Sequence, residues 1–488
     1  MSVEERSVPP TEQPALFVKA SRALGWSMAS TIISRLSTLA IGIALARILG
    51  PDAFGTYAVA MVALLAVLSF NELGVSLAIV RWPGPPAEIA PTVATISLLS
   101  SVLIYVGCFL GAPVFATAMG DPAATPVLRL ITVAVVVSGL VATPVAMLQR
   151  EFRQGRKMIA EQVATWVSAL TSIGCALGGL GAMSLAIGHV AGVLAGAVLF
   201  VAFAPQAVRL GFDRAKAAKL LRFGVPLAGS SIVVFAVGNI DKLIVGAVLG
   251  PVPLGVYVLA VNLSNWPVSI FSQPVRAVAP AALARLQHDP AAMRTTFLST
   301  AGLLASVTMP VCVLLAATAD PLIRFVYGTA WQSAAEVLPW LGLLAILRIL
   351  FELVYDYFVV LANTRAVFTI QLVWLAALVP AVYGGAWFGA AAGAAAAQFA
   401  VAVLVVLPVY LYELNRVGVP VGAFLARLLL PVAGTVAVAL AAWAATRTVP
   451  VDLLALTLAG TASIIAIGAL VYRLRSALRA LRTVEGMD

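Results

Sequence analysis

The stretch Ile48 to Ala60, ILGPDAFGTYAVA, returns 200 residues later as Val248 to Ala260, VLGPVPLGVYVLA, with Leu, Gly, Pro, Gly, Tyr and Ala identical at matching positions. Such self-similarity marks a chain built by duplication, so its halves must fold alike. Each copy joins the first and second of a run of six apolar segments. An even number of crossings therefore separates the copies, and both face the same side of a bilayer. The arrangement predicted is a parallel repeat, two six-helix halves side by side, as recurs among secondary transporters.

Fourteen apolar segments are legible, centred near residues 36, 66, 104, 137, 169, 193, 235, 265, 307, 348, 376, 400, 434 and 462. Each is near the length of about 20 residues that a helix needs to cross the hydrocarbon core. With 62% hydrophobic and 10% charged residues the chain lies outside the range of soluble globular proteins. The fold class expected is an all-α membrane protein of about 14 transmembrane helices. Residues 1–17 are polar, carry Glu4, Glu5, Glu12 and the pair Pro9 and Pro10, and read as a disordered cytoplasmic tail with no cleaved signal. The halves are 18–210 and 211–415, and 416–488 adds two helices and a basic tail.

The basic residues test that count independently, because cytoplasmic loops retain Lys and Arg. With the N terminus inside, the inner loops and tails hold 23 of the 30, among them Arg150, Arg153, Arg156, Lys157, Arg214 to Arg222, Arg276, Arg285 and Arg473 to Arg482. The outer loops hold Arg47, Arg324 and Arg447, and Arg35, Arg129, Lys242 and Arg348 fall within or at the edges of helices. Both termini are thus expected in the cytoplasm, in a multi-pass protein of the cytoplasmic membrane. The net charge of +10 is spread over the inner loops, which suits an anionic leaflet and gives no footprint for nucleic acid.

Several kinds of chemistry lack the residues they need. Cys108, Cys175 and Cys312 stand singly in apolar segments and read as packing residues, neither disulfides nor metal ligands. The sequence has no Gly-Lys dipeptide, hence no P-loop, and its only histidines are His189 and His288. Connections such as Gly178 to Met183 and Gly384 to Gly389 are too short for a catalytic domain. No enzyme, catalytic residue, metal or cofactor is expected.

The residues to weigh are the ionisable ones inside the bilayer, which cost about 2.5 to 3.5 kcal/mol each to insert and so face a bundle interior or a watery cavity. Arg35 lies roughly 20 Å from the outer end of the first helix at about 1.5 Å per residue. It has no carboxylate three or four residues away, so its partner is either another helix or a ligand anion. Glu72 is either an ion-coupling carboxylate or a partner of Arg81. Arg348, Glu352 and Asp356, at i, i+4 and i+8, form one charged stripe. That stripe reads either as a cavity face, with Arg348 for an anion and Glu352 or Asp356 for a proton or cation, or as a self-neutralising Arg348–Glu352 pair. Asp241 and Lys242 are separated by about 100 degrees around their helix and are expected to point to different places, whereas Asn239 and Lys242 share a face. The inner clusters at 149–157 and 214–222 read as topology determinants that can also draw a phosphorylated substrate to the inner mouth.

The run Ala46-Arg47-Ile48-Leu49-Gly50-Pro51 with Phe54-Gly55-Thr56-Tyr57 resembles the start of bacterial polysaccharide flippases, the Wzx-like members of the multidrug/oligosaccharidyl-lipid/polysaccharide exporter superfamily. Leu148 to Arg153, Leu221 to Pro226, Asn239 to Leu243, and Ala319 to Ile323 with Tyr327-Gly328 and Trp331 extend the likeness over roughly residues 20 to 410. The resemblance implies a flippase that carries a polyprenyl-pyrophosphate-linked oligosaccharide to the outer leaflet for assembly of a surface polysaccharide, by alternating access of two halves around a cationic cavity. A polysaccharide polymerase is then an expected partner beside the lipid bilayer. Arg35, Lys242 and Arg348 are the expected substrate-binding residues, since Arg binds phosphate bidentately. Glu72, Asp241, Glu352 and Asp356 are the candidates for coupling to H+ or Na+. A cation-coupled multidrug or small-molecule exporter of the same superfamily is the alternative, and a scaffold without transport is a third.

Overall fold

Long apolar helices, interrupted where glycine or proline falls, make up the described structure. The computed structural model describes the backbone of residues 13–69, 76, 78–79, 82, 84–151, 153–205 and 209–473, and their side chains except at 13–38, 223, 225–234, 237, 277–278, 281 and 364. The first helices are α1 (Gln13–Leu68), α2 (Ala90–Ala118), α3 (Ala124–Ile131), α4 (Val133–Arg150), α5 (Gln154–Leu177) and α6 (Ala182–Phe203). They are followed by α7 (Arg214–Leu249), α8 (Pro251–Pro267), α9 (Gln273–Arg285), α10 (Pro290–Ala317) and α11 (Ala319–Val326). The last are α12 (Ala334–Val360), α13 (Thr364–Val401), α14 (Leu407–Arg416), α15 (Val421–Thr448) and α16 (Asp452–Arg473).

Ten stretches among the described residues are long and apolar enough to cross a membrane. One of them, Arg365–Arg416, has 52 residues, about 78 Å of helix and more than twice the hydrocarbon thickness. It is broken at Gly389 and at Ala390, whose φ is 51, and its arms fold back so that Gly385 and Gly393 touch through their backbones. Of the expected tail, residues 1–12 lie outside the described residues, and 13–17 already belong to α1. On α2 the exposed Leu99, Leu103, Val106, Leu110 and Val114 fall at helical spacing, an apolar stripe suited to lipid.

The repeated motif has the same backbone in both copies. Gly50 (φ 70, ψ 176) and Gly250 (φ 85, ψ -172) take a conformation that only glycine adopts at low cost, and Pro51 and Pro251 restart the helix behind them. The copies also pack on each other. A Cβ at Gly55 would stand 2.2 Å from the Pro251 carbonyl oxygen, and one at Gly255 would stand 2.8 Å from the Gly55 Cα. Trp331, fully buried, adds to the contact by donating from Nε1 to the Ala46 carbonyl at 3.0 Å and meeting Phe54 edge-on at 5.4 Å. Arg47 donates to the Val326 carbonyl at 2.6 Å and also to that of Phe325.

Polar side chains fix the remaining joints. Asp213 caps α7 by accepting from the amides of Ala215 at 2.9 Å and Lys216 at 3.1 Å, and Asp289 caps α10 in the same way. The hydrogen bonds from the amides hold the Asp213 carboxyl below its usual range. Arg150, placed by sequence in an inner topology cluster, donates to the carbonyls of Trp82 and Gly84 at 2.9 Å each. Arg324 of α11 grips Asp452 of α16 bidentately at 2.8 and 2.6 Å, and Ala442, Ala445 and Ala459 pack with Leu314 and Ala317, which fastens the last two helices to α10 and α11.

Candidate substrate and ion cavities

Helices α7, α8, α9, α12, α13 and α14 converge on a cavity of about 440 Å³. Five of them bring polar groups that apolar spans do not carry by default: Asp241 and Lys242 from α7, Asn265 from α8, Arg276 from α9, Arg348 and Glu352 from α12, and Gln371 and Gln398 from α13, while α14 adds Tyr410. Arg276 is aimed at α12 by the π-helical turn Val268–Ser272 behind Pro267, since an extra residue in the turn rotates everything after it. It binds Asp356 bidentately, at 2.7 and 3.0 Å, and approaches Glu352 at 3.5 Å. Ser272, in the π turn itself, donates to the same Glu352 oxygen, Oε2, at 2.9 Å.

A second chain of hydrogen bonds crosses the cavity's far wall. Gln398 donates to the Tyr257 hydroxyl at 2.8 Å, and Tyr257, the tyrosine of the second repeat copy, donates to the buried Asp241 at 3.0 Å. Lys242 reaches Asn239 at 3.0 Å, the Gly238 carbonyl at 3.2 Å and Asp241 at 3.8 Å. Three carboxylates, Asp241, Glu352 and Asp356, thus stand with three bases, Lys242, Arg276 and Arg348, and the formal charges cancel. They are not evenly matched in space. Arg276 holds two carboxylates, whereas Arg348 donates to the neutral Asn265 at 3.0 Å and has no ion pair among the described residues. A guanidinium has five N–H donors, so Arg348 keeps most of its capacity for an anion.

A second cavity, of about 390 Å³, lies between the motif copies and is lined by Phe54 on one side and Asn262, Asn265, Trp266, Ser269 and Tyr327 on the other. No Asp, Glu, Lys or Arg lines it among the described residues, and burial pushes the Tyr327 phenol up to about 12, so that group stays neutral. Asn265 lines both cavities.

The structure brings Lys242, Arg348, Asp241 and Glu352 to one cavity, with Asp356 next to it through Arg276. Glu72 and the side chain of Arg35 lie outside the described residues, although Arg35 falls within α1. Of the two readings of the α12 stripe the self-neutralising pair is set aside, and the expectation for Asp241 and Lys242 is corrected. Arg348 does not pair with Glu352: its long side chain crosses to Asn265, and Arg276 takes both acids. Asp241 and Lys242 meet at one site despite their different directions on α7, because the four-carbon lysine stem swings the ammonium back to 3.8 Å. The sequence puts Arg276 in an inner loop, and its partners lie 76 and 80 residues further on, beyond any local pattern. Asn265, Gln371 and Gln398 carried a signal that a search for charge overlooks: amides inside apolar spans.

A multi-pass helical membrane protein with polar cavities inside its bundle is the class that these features define. The fold is shared with the lipid II flippase MurJ in an inward closed conformation, at a TM-score of 0.72 and 13% identity over 91% of this chain and 99% of that one. It is shared also with an inward-facing multidrug resistance MATE family transporter of the MOP superfamily, at a TM-score of 0.62 and 14% identity over 79% and 98%. Residues 44–336 match the polysaccharide biosynthesis protein family, and the chain belongs to it. Relatives include the lipopolysaccharide biosynthesis protein WzxC of Escherichia coli (strain K12), 23% identical over 66% of this chain, and the succinoglycan biosynthesis transport protein ExoT of Rhizobium meliloti (strain 1021), 26% identical over 67%. The match spans 66% and 65% of those relatives' own lengths.

Proposed function

We propose that the protein is a flippase that moves a polyprenyl-pyrophosphate-linked oligosaccharide across the cytoplasmic membrane for surface polysaccharide assembly. The observation that carries this reading is Arg348: a guanidinium inside the membrane-spanning bundle, open to a 440 Å³ cavity and opposed by no carboxylate among the described residues. A guanidinium that spends one donor on a neutral amide keeps its other N–H groups for a pyrophosphate, which it can bind bidentately. Lys242 stands across the same cavity, and Arg35 is the third basic residue assigned to the substrate. Family membership and the names of WzxC and ExoT agree with a role in polysaccharide biosynthesis and transport.

In this reading fourteen helices form two parallel halves, 18–210 and 211–415, with 416–488 attached and both termini in the cytoplasm. The Gly55–Gly255 contact, on the side expected to be outer, holds that end shut, and rocking of the halves opens it. Asp241, Glu352 and Asp356, with Glu72, are the carboxylates through which H+ or Na+ would couple. A polymerase of the same polysaccharide is the partner that receives the product. The protein performs no chemistry of its own on the cargo.

The balance of three acids against three bases favours one second reading, a cation-coupled multidrug or small-molecule exporter. Single replacement of Arg35, Lys242 and Arg348 by Ala separates the two. A flippase loses surface polysaccharide in these variants at normal expression, whereas an exporter of cationic compounds keeps it.

A further inference from the structure

The two cavities differ in chemistry and meet at one side chain. The first carries six ionisable groups on or beside its wall, whereas the second presents aromatic faces and amides. At about 390 Å³ the second is within the range of about 300–1,000 Å³ typical of small-molecule sites. Asn265 sits between them, and its carboxamide is divided: Oδ1 accepts from Arg348 on the charged side, which leaves the Nδ2 donors for another acceptor. Asn262, three residues earlier on α8, has no hydrogen bond among the described residues, and the Ser269 hydroxyl donates to the Trp266 carbonyl and so keeps its lone pairs as acceptors.

We infer that this second cavity is a subsite for a neutral sugar residue, the one next to the pyrophosphate that Arg348 holds. The inference rests on the flippase reading and deepens it. Amides offer a donor and an acceptor side by side, which matches neighbouring hydroxyls of a pyranose ring, and Trp266, Tyr327 and Phe54 give its C–H surface an apolar wall. Among the described residues no Asp, Glu, Lys or Arg lines this cavity, so its described wall suits an uncharged sugar better than an acidic one, whose charge would be costly to desolvate there. Phe54 of the first motif copy and Leu259 of the second both line the cavity, so the sugar would lie beside both copies.

The test uses the full chain in lipid nanodiscs and two probes, undecaprenyl pyrophosphate and the same lipid carrying one galactose. The galactosyl probe is expected to bind about tenfold tighter, a gain that two or three good hydrogen bonds supply. Trp266→Ala and Asn262→Ala each abolish most of that gain and leave the Kd of undecaprenyl pyrophosphate within about twofold, whereas Arg348→Ala weakens both probes alike. Equal affinity of the wild type for the two probes overturns the subsite, and so does equal weakening of both probes by Trp266→Ala and Asn262→Ala, which would make these residues scaffold. If the wild type binds neither probe, the flippase reading itself fails, and the subsite with it.

Discussion

Gly55→Ala puts a methyl group where the two repeat copies touch. The new Cβ would stand 2.2 Å from the Pro251 carbonyl oxygen, against ordinary contact beginning at 3.4 Å, so the copies must part by roughly an ångström. Both neighbours are backbone, and no side chain can rotate away. Overpacking of this kind costs about 1–3 kcal/mol, and it falls only on the state in which the copies are in contact. A cost of about 2 kcal/mol changes the ratio of closed to open molecules about 30-fold. Spin labels at Leu180→Cys and Phe388→Cys, both exposed and in connections that the proposed topology puts on the outer side, report that opening in a background without Cys108, Cys175 and Cys312. The variant is expected to gain a population at longer distance, whereas Gly42→Ala, whose Cβ meets nothing within 4 Å, leaves the distribution unchanged. Superimposable distributions for Gly55→Ala and the wild type, with both folded, would refute the argument that this contact closes one end.

Three further outcomes follow from the geometry. Arg276→Ala leaves Glu352 and Asp356 without their base; because Arg276 is about a third exposed, the loss expected is about 2–3 kcal/mol instead of the full 3–5 of a buried pair. Reversible SDS unfolding of Arg276→Ala, Asp356→Ala and the double variant checks this, since additivity within about 0.5 kcal/mol would show that the pair is not coupled. Trp331→Phe removes the indole donor to the Ala46 carbonyl and is expected to cost about 0.5–1.5 kcal/mol in the same assay. Asp213→Ala releases the amides of Ala215 and Lys216, so their hydrogen exchange should speed up. Because the folded Asp213 carboxyl lies below its ordinary 3.8, its contribution is present above that pH and lost as the pH falls through the lower folded value.

The duplication was legible because its two copies kept the residues that geometry demands: a glycine at positive φ, a proline to restart the helix, and a glycine where the copies touch. Identity at those positions announced the repeat but not that Gly55 and Gly255 pack on each other, since symmetry alone does not tell which face meets which. The charged stripe of α12 was readable from i, i+4 spacing. Its partners were not, because spacing describes one helix and Arg276 comes from another, turned by a π segment that no apolar pattern reveals. Arg276 also obeyed the rule that basic residues cluster near inner loops, so its place at the helix end concealed its reach into the cavity. Searching for charge found Asp241, Lys242, Arg348, Glu352 and Asp356, and passed over Asn262, Asn265 and Gln398, whose uncharged amides connect the two cavities and the Tyr257–Asp241 chain.

The most direct test of the central claim is mass spectrometry of lipid extracts from a strain lacking this gene, compared with its parent. The account predicts accumulation of a polyprenyl-pyrophosphate-linked oligosaccharide together with loss of surface polysaccharide, and the accumulated lipid would identify the cargo. Unchanged lipids and an intact surface polysaccharide would contradict it and leave the exporter reading in its place.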